Sequence, residues 1–203
     1  MSERPDHYFS AEPASPDERQ QIRVRFDGRD LTLTTARGVY SPGRLDPGTA
    51  VLLAGAPDPS PSGHVLDLGT GWGPIAITLA LRSPGAQVWG VDVNRRALQL
   101  AAHNADVAGV TNVTFCEPDE VPDDLRFETI WSNPPIHVGK AALHALLARW
   151  LPRLAEDGVA HLVVQKHLGS DSLQKWINAG DWGLDCTRLS SSKSFRILEV
   201  RRS

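Results

Sequence analysis

Val65-Leu66-Asp67-Leu68-Gly69-Thr70-Gly71-Trp72-Gly73-Pro74 decides how this chain is read. The apolar run ending at Leu68 is a short buried strand, and three alternate glycines follow it. Pro74-Ile75-Ala76-Ile77 with Leu79-Ala80-Leu81 then opens a helix, whose first turn tolerates proline because an N–H there has no intrahelical partner. Strand, Gly-x-Gly-x-Gly and helix is an arrangement by which a backbone comes close to a nucleotide-like ligand. Glycine permits the tight turn and leaves no side chain in the way. The competing reading is a plain glycine turn, and the flanking strand and helix weigh against it. A dinucleotide fingerprint would place its last glycine at position 74. Here that glycine is Gly73, one residue early, which weakens a dehydrogenase reading.

Strand and helix patterns alternate beyond the loop. Gln87 to Asp92 is a second strand. Asn94 caps a helix with an apolar stripe at Ala97, Leu98, Ala101, Ala105 and Ala108, ended by Gly109. Val113 to Phe115 is a third strand and Glu128 to Ser132 a fourth. Lys140 to Leu154 reads as one long amphipathic helix ended near Gly158, and Val159 to Val164 as a fifth strand. Ser172 to Asn178 is a helix closed by Gly180, and Leu184 to Leu189 with Phe195 to Val200 form a final antiparallel pair. The fold class is α/β, a mostly parallel sheet with helices on both faces. In such sheets ligands bind at the carboxyl ends of the strands where the strand order reverses.

Upstream the pattern differs. Met1 to Gln20 is polar, with prolines at 5, 13 and 16, and is expected to hold little regular structure. Ile22 to Phe26 and Leu31 to Thr34 alternate around the turn signal Asp27-Gly28, a hairpin with Arg23 and Arg25 on its outer face. Val39-Tyr40 is expected to add a short strand, Ser41-Pro42-Gly43 a turn, Pro47 to Leu53 a helix, and Pro57 to Ser62 a linker. A hairpin alone is marginal in water. Residues 1–62 are therefore read as an extension packed on a main domain of residues 63–203.

The bulk properties set limits. A chain of 203 residues suits one sizeable α/β core. Apolar content of 41% and charged content of 22% are ordinary for a soluble domain, and no apolar run approaches the roughly 20 residues of a membrane span. The first residues carry no apolar signal core. Cys116 and Cys186 are too few and too far apart for a disulfide framework or a zinc site, so no metal is expected and both read as reduced packing residues of a cytoplasmic protein. A formal charge of −3 argues against a general nucleic-acid coat but leaves room for a local basic patch.

Two further features fall at strand ends. Asn133-Pro134-Pro135-Ile136 follows the strand Thr129-Ile130-Trp131-Ser132. Consecutive prolines donate no backbone hydrogen bond, fix their own φ and push the preceding residue out of the helical region. Asn133 is thus held on stiff, extended backbone. That suits either a strand-terminating turn or a site that aims one amide oxygen and one carbonyl at a substrate. Asp92 ends the second strand, where an acidic side chain would meet both ribose hydroxyls of an adenosine moiety or cap the following helix, two compatible roles.

Asp67-Leu-Gly-Thr-Gly-Trp-Gly73, Asp92 and Asn133-Pro-Pro-Ile136 together resemble the class I S-adenosylmethionine-dependent methyltransferases that modify exocyclic or amide nitrogens. More narrowly, the chain resembles the small-methyltransferase group that includes guanine-N2 methyltransferases of small-subunit ribosomal RNA, in a single-domain form. His7-Tyr8-Phe9-Ser10, Gly38-Val39-Tyr40-Ser41, Leu45-Asp46-Pro47-Gly48-Thr49, Asp92-Val-Asn-Arg-Arg-Ala97, Asn133 to Lys140 and Val163-Val-Gln-Lys166 carry that likeness. It implies a Rossmann-like fold with a seven-stranded sheet and an antiparallel C-terminal strand. It also implies S-adenosylmethionine as cofactor. Gly69, Gly71 and Gly73 would border its methionine and ribose parts, and Asp92 would hold the ribose. Asp67 is expected to hold the glycine loop, and Glu117 or Asp119 to meet the adenine amine. Asn133, Pro134, Pro135 and Ile136 would form the catalytic box, with Asn133 also beside the cofactor.

In that scheme the Asn133 amide oxygen and the Pro134 carbonyl each accept one N–H of a delocalised amine, localising its lone pair toward the methyl group. A guanine inside a duplex would first be flipped out. Ile136, where adenine-modifying relatives carry Tyr or Phe, points toward guanine. The expected partner is ribosomal RNA or the small subunit, met by a monomer or homodimer. The alternatives are another nitrogen, such as a protein glutamine or an adenine, and a non-catalytic cofactor-fold module. His137, Lys140 and Lys166 read either as substrate contacts or as solvated surface. Arg196, Arg201, Arg202 and Lys193, with Arg23 and Arg25, read either as a phosphate grip or as solvated charge. The tryptophans are expected to pack, Trp89 and Trp131 within strands.

Overall fold

The structure, a computed structural model, describes residues 13, 15–26, 28–192 and 194–203. The His7 to Ser10 motif, Asp27 of the hairpin turn and Lys193 lie outside them. The expected hairpin is present: β1 (Arg19–Phe26) pairs antiparallel with β2 (Arg29–Ala36). Val24, Phe26 and Leu33 are buried, while Arg23 and Arg25 face outward. Val39 and Tyr40 form no strand. They sit in a run of turns that opens at Gly38, whose φ of 77° few L side chains adopt, and Asn94 Nδ2 donates to the Gly38 carbonyl at 2.8 Å. Chain that must curl around the start of a helix cannot run extended.

Helix α1 (Pro47–Gly55) follows, then β3 (Ser62–Leu68), α2 (Pro74–Arg82), β4 (Gly85–Val91), α3 (Arg95–Ala108), β5 (Val113–Cys116) and β6 (Phe127–Ser132). The chain continues as α4 (Lys140–Trp150), β7 (Leu154–Gln165), α5 (Ser170–Ala179), β8 (Leu184–Ser192) and β9 (Phe195–Arg202). The last seven strands form one sheet in the order β5-β4-β3-β6-β7-β9-β8, with β9 antiparallel to both of its neighbours. From β3 the chain winds outward through β4 to β5, then returns to place β6 on the other side of β3. The strand order therefore reverses between the ends of β3 and β6. Among the described residues no helix is long and apolar enough to cross a membrane.

One boundary differs from the sequence reading. Helix α4 stops at Trp150, a single 3-10 turn spans Leu151–Arg153, and β7 begins at Leu154 rather than Val159. Pro152 has no N–H to continue the helical ladder and crowds the preceding turn. The apolar spacing hides this break because Leu143, Leu147, Trp150, Leu151 and Leu154 are all buried, whichever structure each occupies. The two cysteines are free and buried, and burial pushes their thiols up to about 11 for Cys116 and about 12 for Cys186. Trp131 is fully buried in β6, and Trp89 is half-buried with its indole N–H 3.3 Å from His64 Nδ1.

Asn104 fastens the hairpin to α3. Buried on α3, it accepts from the Thr34 N–H at 2.7 Å and donates to the Thr34 and Trp72 carbonyls, both at 2.8 Å. One amide so joins the hairpin, α3 and the glycine loop. Asn104→Ala leaves three buried backbone groups unpaired and is expected to lower the unfolding free energy by about 3 kcal/mol in urea titrations. Hydrogen exchange should show β2 opening ahead of the sheet.

Candidate active site

The carboxyl edge of β3 builds the first wall. The Gly69 and Thr70 amides donate to the Val91 carbonyl at 2.8 and 3.0 Å, tying the glycine loop to β4. Beneath the loop Asp67 is fully buried, and its Oδ2 accepts from Thr70 Oγ1 at 2.6 Å and the Ala76 N–H at 2.9 Å. The three glycines divide their work. Gly69 and Gly71 have φ of 82° and 56°, and a Cβ on either would meet open space. Gly73 faces inward: a Cβ there would lie 3.1 Å from that of Ala101, so it lets α2 approach α3. It is a packing glycine, set apart from the cavity that Gly69 and Gly71 line.

Asp92 follows β4. Its Oδ2 accepts from the Gly71 N–H at 2.8 Å and its Oδ1 from the Asn94 N–H at 2.9 Å. Burial pushes its carboxyl above the usual range, and these amide donors act in the opposite direction. The Val93 amide also favours the charged form, so three amides share a carboxylate with four lone-pair directions, and the residue lines the cavity. Asp92 thus braces the loop and helix start from the position expected of a ribose ligand. The acids after β5 are arranged differently. Glu117 pairs with Arg95 at 2.7 Å and belongs to a small capping box, while Asp119 pairs with Arg149 at 2.7 Å. The residue that reaches the cavity between them is Pro118.

β6 supplies the second wall. Ser132 Oγ donates to the Leu68 carbonyl at 2.7 Å, fixing the end of β6 against that of β3. Beyond it Asn133 Nδ2 donates to Asp46 Oδ2 at 2.7 Å and Thr49 Oγ1 at 3.0 Å. Asp46 also caps α1 through the Thr49 N–H at 2.9 Å and accepts from the Tyr40 hydroxyl at 2.8 Å. A carboxylate only accepts, so the amide atom facing it must be nitrogen. The Asn133 Oδ1 is thereby turned the other way, and it has no hydrogen-bond partner among the described residues. Gly48 permits this closeness, since a Cβ there would stand 2.9 Å from Asp46 Oδ2 and 3.0 Å from the Phe195 ring.

Asn133, Pro134, Pro135 and Ile136 line the same cavity as Gly69, Gly71 and Asp92. It has a volume of about 370 Å³, within the range of small-molecule sites. Tyr40, Val93 and Leu168, each more than a third exposed, bring apolar surface to its outer rim beside exposed Arg44. His137 lines it from an exposed position, while Lys140 and Lys166 begin the exposed end of α4 and the turn after β7. The C-terminal basic residues do not converge here. Arg196 is tied to Ser170 Oγ at 3.1 Å and to the Asp171 carboxylate. Arg201 pairs with Glu199 at 2.8 Å, and Arg202 donates to the Leu154 and Pro152 carbonyls. Antiparallel register sets Phe195 opposite Gln165 but Arg201 opposite Val159, so Arg201 and Arg202 sit at the far end of the sheet.

The sequence reading missed the roles of Asp46, Thr49 and Tyr40. Asp46-Pro47 is legible as a helix cap followed by proline at the first helical position. Its second duty, toward an amide 87 positions away, carries no local signal.

Burial raises the Asp67 carboxyl from 3.8 to about 7, and its Oδ1 has no partner among the described residues. A raised acid binds protons more readily folded than unfolded. Its contribution is therefore complete below pH 3.8 and is lost as pH climbs toward about 7. Asp67→Asn mimics the protonated form and keeps an acceptor for Thr70 and Ala76. The variant should lack this loss, ending on the order of 2–4 kcal/mol more stable relative to wild type at pH 8 than at pH 4. Paired denaturation curves at the two values check this.

Residues 30–198 match the family model described as the methyltransferase small domain. The chain is 34% identical over 170 residues to the uncharacterized protein YbxB of Bacillus subtilis, covering 82% of this chain and 85% of that one. It is 31% identical over 171 residues to the ribosomal RNA small subunit methyltransferase C of Shewanella amazonensis, covering 82% of this chain and 50% of the relative. Among solved structures, the T. thermophilus 16S rRNA N2 G1207 methyltransferase RsmC, in complex with AdoMet and guanosine, superposes with a TM-score of 0.77 at 24% identity. That match covers 93% of this chain and 52% of that one. The chain thus spans about half the length of these two named methyltransferases. With a Rossmann-like sheet whose glycine loop and Asn-Pro-Pro box face one cavity, this chain belongs to the methyltransferase small domain family.

Proposed function

We propose that this chain is an S-adenosylmethionine-dependent N-methyltransferase acting on the exocyclic N2 amine of a guanine in ribosomal RNA. The observation that carries the reading is the orientation of Asn133, whose Nδ2 is consumed by Asp46 and Thr49 while Oδ1 is left to accept.

The residues fit the cofactor. Gly69 and Gly71 leave space where side chains would stand, and Asp92 lines the cavity with acceptor capacity left for a ribose hydroxyl. Pro118 and Val93 offer apolar surface for a base, in place of an acidic contact from Glu117 or Asp119. When bound, S-adenosylmethionine supplies a methyl group activated by a sulfonium.

The protein's part is positioning. Asn133 Oδ1 accepts one amine N–H and the Pro134 carbonyl accepts the other, which draws the nitrogen lone pair out of conjugation. Two prolines hold both acceptors on stiff backbone, so little reorganisation is needed as charge develops. The nitrogen gains the methyl carbon, the carbon–sulfur bond breaks, and one amine proton leaves to water. Ile136 packs against the base face. The relatives named for 16S rRNA and for small-subunit methylation support ribosomal RNA as the substrate class.

Transfer of labelled methyl to free small subunits and to naked RNA, with the product nucleoside identified by mass, tests the assignment. N2-methylguanosine is the expected product, and a methylated protein or adenosine would overturn it. Asn133→Ala should lower single-turnover transfer about a hundredfold or more while calorimetric cofactor affinity is kept. Loss of that affinity instead would make Asn133 structural. Asp92→Ala should weaken cofactor binding about ten- to a hundredfold, the scale of hydrogen bonds to a charged acceptor. Unchanged affinity would remove the ribose role.

A further inference from the structure

Gln165 is a polar cavity residue that neither the fold nor the methyl-transfer scheme uses. It ends β7, is half-buried, and lines the cavity with Asn133, Ile136, Leu168 and Phe195. Its side-chain amide has no hydrogen-bond partner among the described residues. Strand alternation sets its side: Val163 and Ile197 join the core under α1 and α2, Val164 and Leu198 the core on the opposite face, so Gln165 shares the α1 face with its cross-strand partner Phe195. The position of a Cβ on Gly48 is 3.0 Å from the Phe195 ring and 3.4 Å from Asn133 Nδ2. Directly opposed residues of antiparallel strands have Cβ atoms about 5 Å apart. Asn133, Phe195 and Gln165 therefore follow one another along one wall.

A half-buried amide among apolar neighbours is costly to leave unpaired once a ligand excludes water. A primary amide offers an acceptor and a donor side by side. With its N2 amine held at Asn133, guanine presents next an N1–H donor and then the O6 acceptor. Adenine held by its N6 amine presents an acceptor and then a C–H, and cytosine held by its N4 amine presents two acceptors. Only guanine satisfies both halves of one amide.

We propose that Gln165 is the specificity-determining residue of this site: Oε1 accepts the guanine N1–H and Nε2 donates to O6 while Asn133 holds the amine. The proposal rests on the guanine-N2 reading above. It is tested with RNA in which the mapped target guanine is replaced by 2-aminopurine, which keeps the N2 amine but lacks the N1 proton and O6. Wild type should favour guanine by about a hundredfold in kcat/KM. Gln165→Leu should lower transfer to guanine about ten- to a hundredfold and leave 2-aminopurine and calorimetric cofactor affinity unchanged, so that discrimination collapses. Gln165→Met provides the same comparison should the leucine variant fold poorly. Equal losses on both bases, or weakened cofactor binding, would overturn the role of Gln165. In that case N2-methylguanosine would still be the wild-type product, whereas any other product would remove the functional reading itself.

Discussion

The carboxylate of Asp46 is the point on which the site depends. Three donors share it: the Asn133 amide, the Thr49 backbone N–H and the Tyr40 hydroxyl, at 2.7, 2.9 and 2.8 Å. The first belongs to the sheet, the second to the start of α1, and the third to the turn after the hairpin. Because a carboxylate has no donor of its own, this contact does more than join segments. It selects one of two amide orientations that are otherwise close in shape. Residues that precede β3 thus help to build the cavity, although the hairpin contributes no strand to the main sheet.

The glycine loop rests on a comparable arrangement one strand away. Asp67 is buried beneath it, and Asp92 closes over it through the Gly71 N–H. Two acidic groups hold a short loop open, so that Gly69 and Gly71 face empty space while Gly73 packs against Ala101. A loop held from both sides loses little entropy when a ligand settles on it, which is the physical content of preorganisation. The raised carboxyl of Asp67 is the cost of placing one of those anchors where water cannot reach.

The alternation of strand and helix was legible because parallel strands buried on both faces leave continuous apolar runs. Punctuation by Pro74, Asn94 and Gly109 gave α2 and α3 sharp ends. The end of α4 was not legible, since buried leucines run at helical spacing through Pro152 into β7. Where the basic tail lies in space was not legible for a related reason. Arg196, Arg201 and Arg202 cluster in the chain, but an extended strand carries its two ends to opposite edges of the sheet, and local acids and carbonyls engage all three.

By itself the sequence determined the class of sheet, the glycine loop, and the placing of Asp92 and the Asn-Pro-Pro box at strand ends. Each is a local matter of backbone freedom, burial period and rigid φ. Tertiary structure alone decided which glycines face the cavity, which way the Asn133 amide points, that Glu117 and Asp119 are taken by arginines, and that Gln165 stands beside Phe195. Those outcomes depend on contacts between segments far apart in the chain. A side chain's chemistry names what it can bind, but only its neighbours decide what it has left to offer.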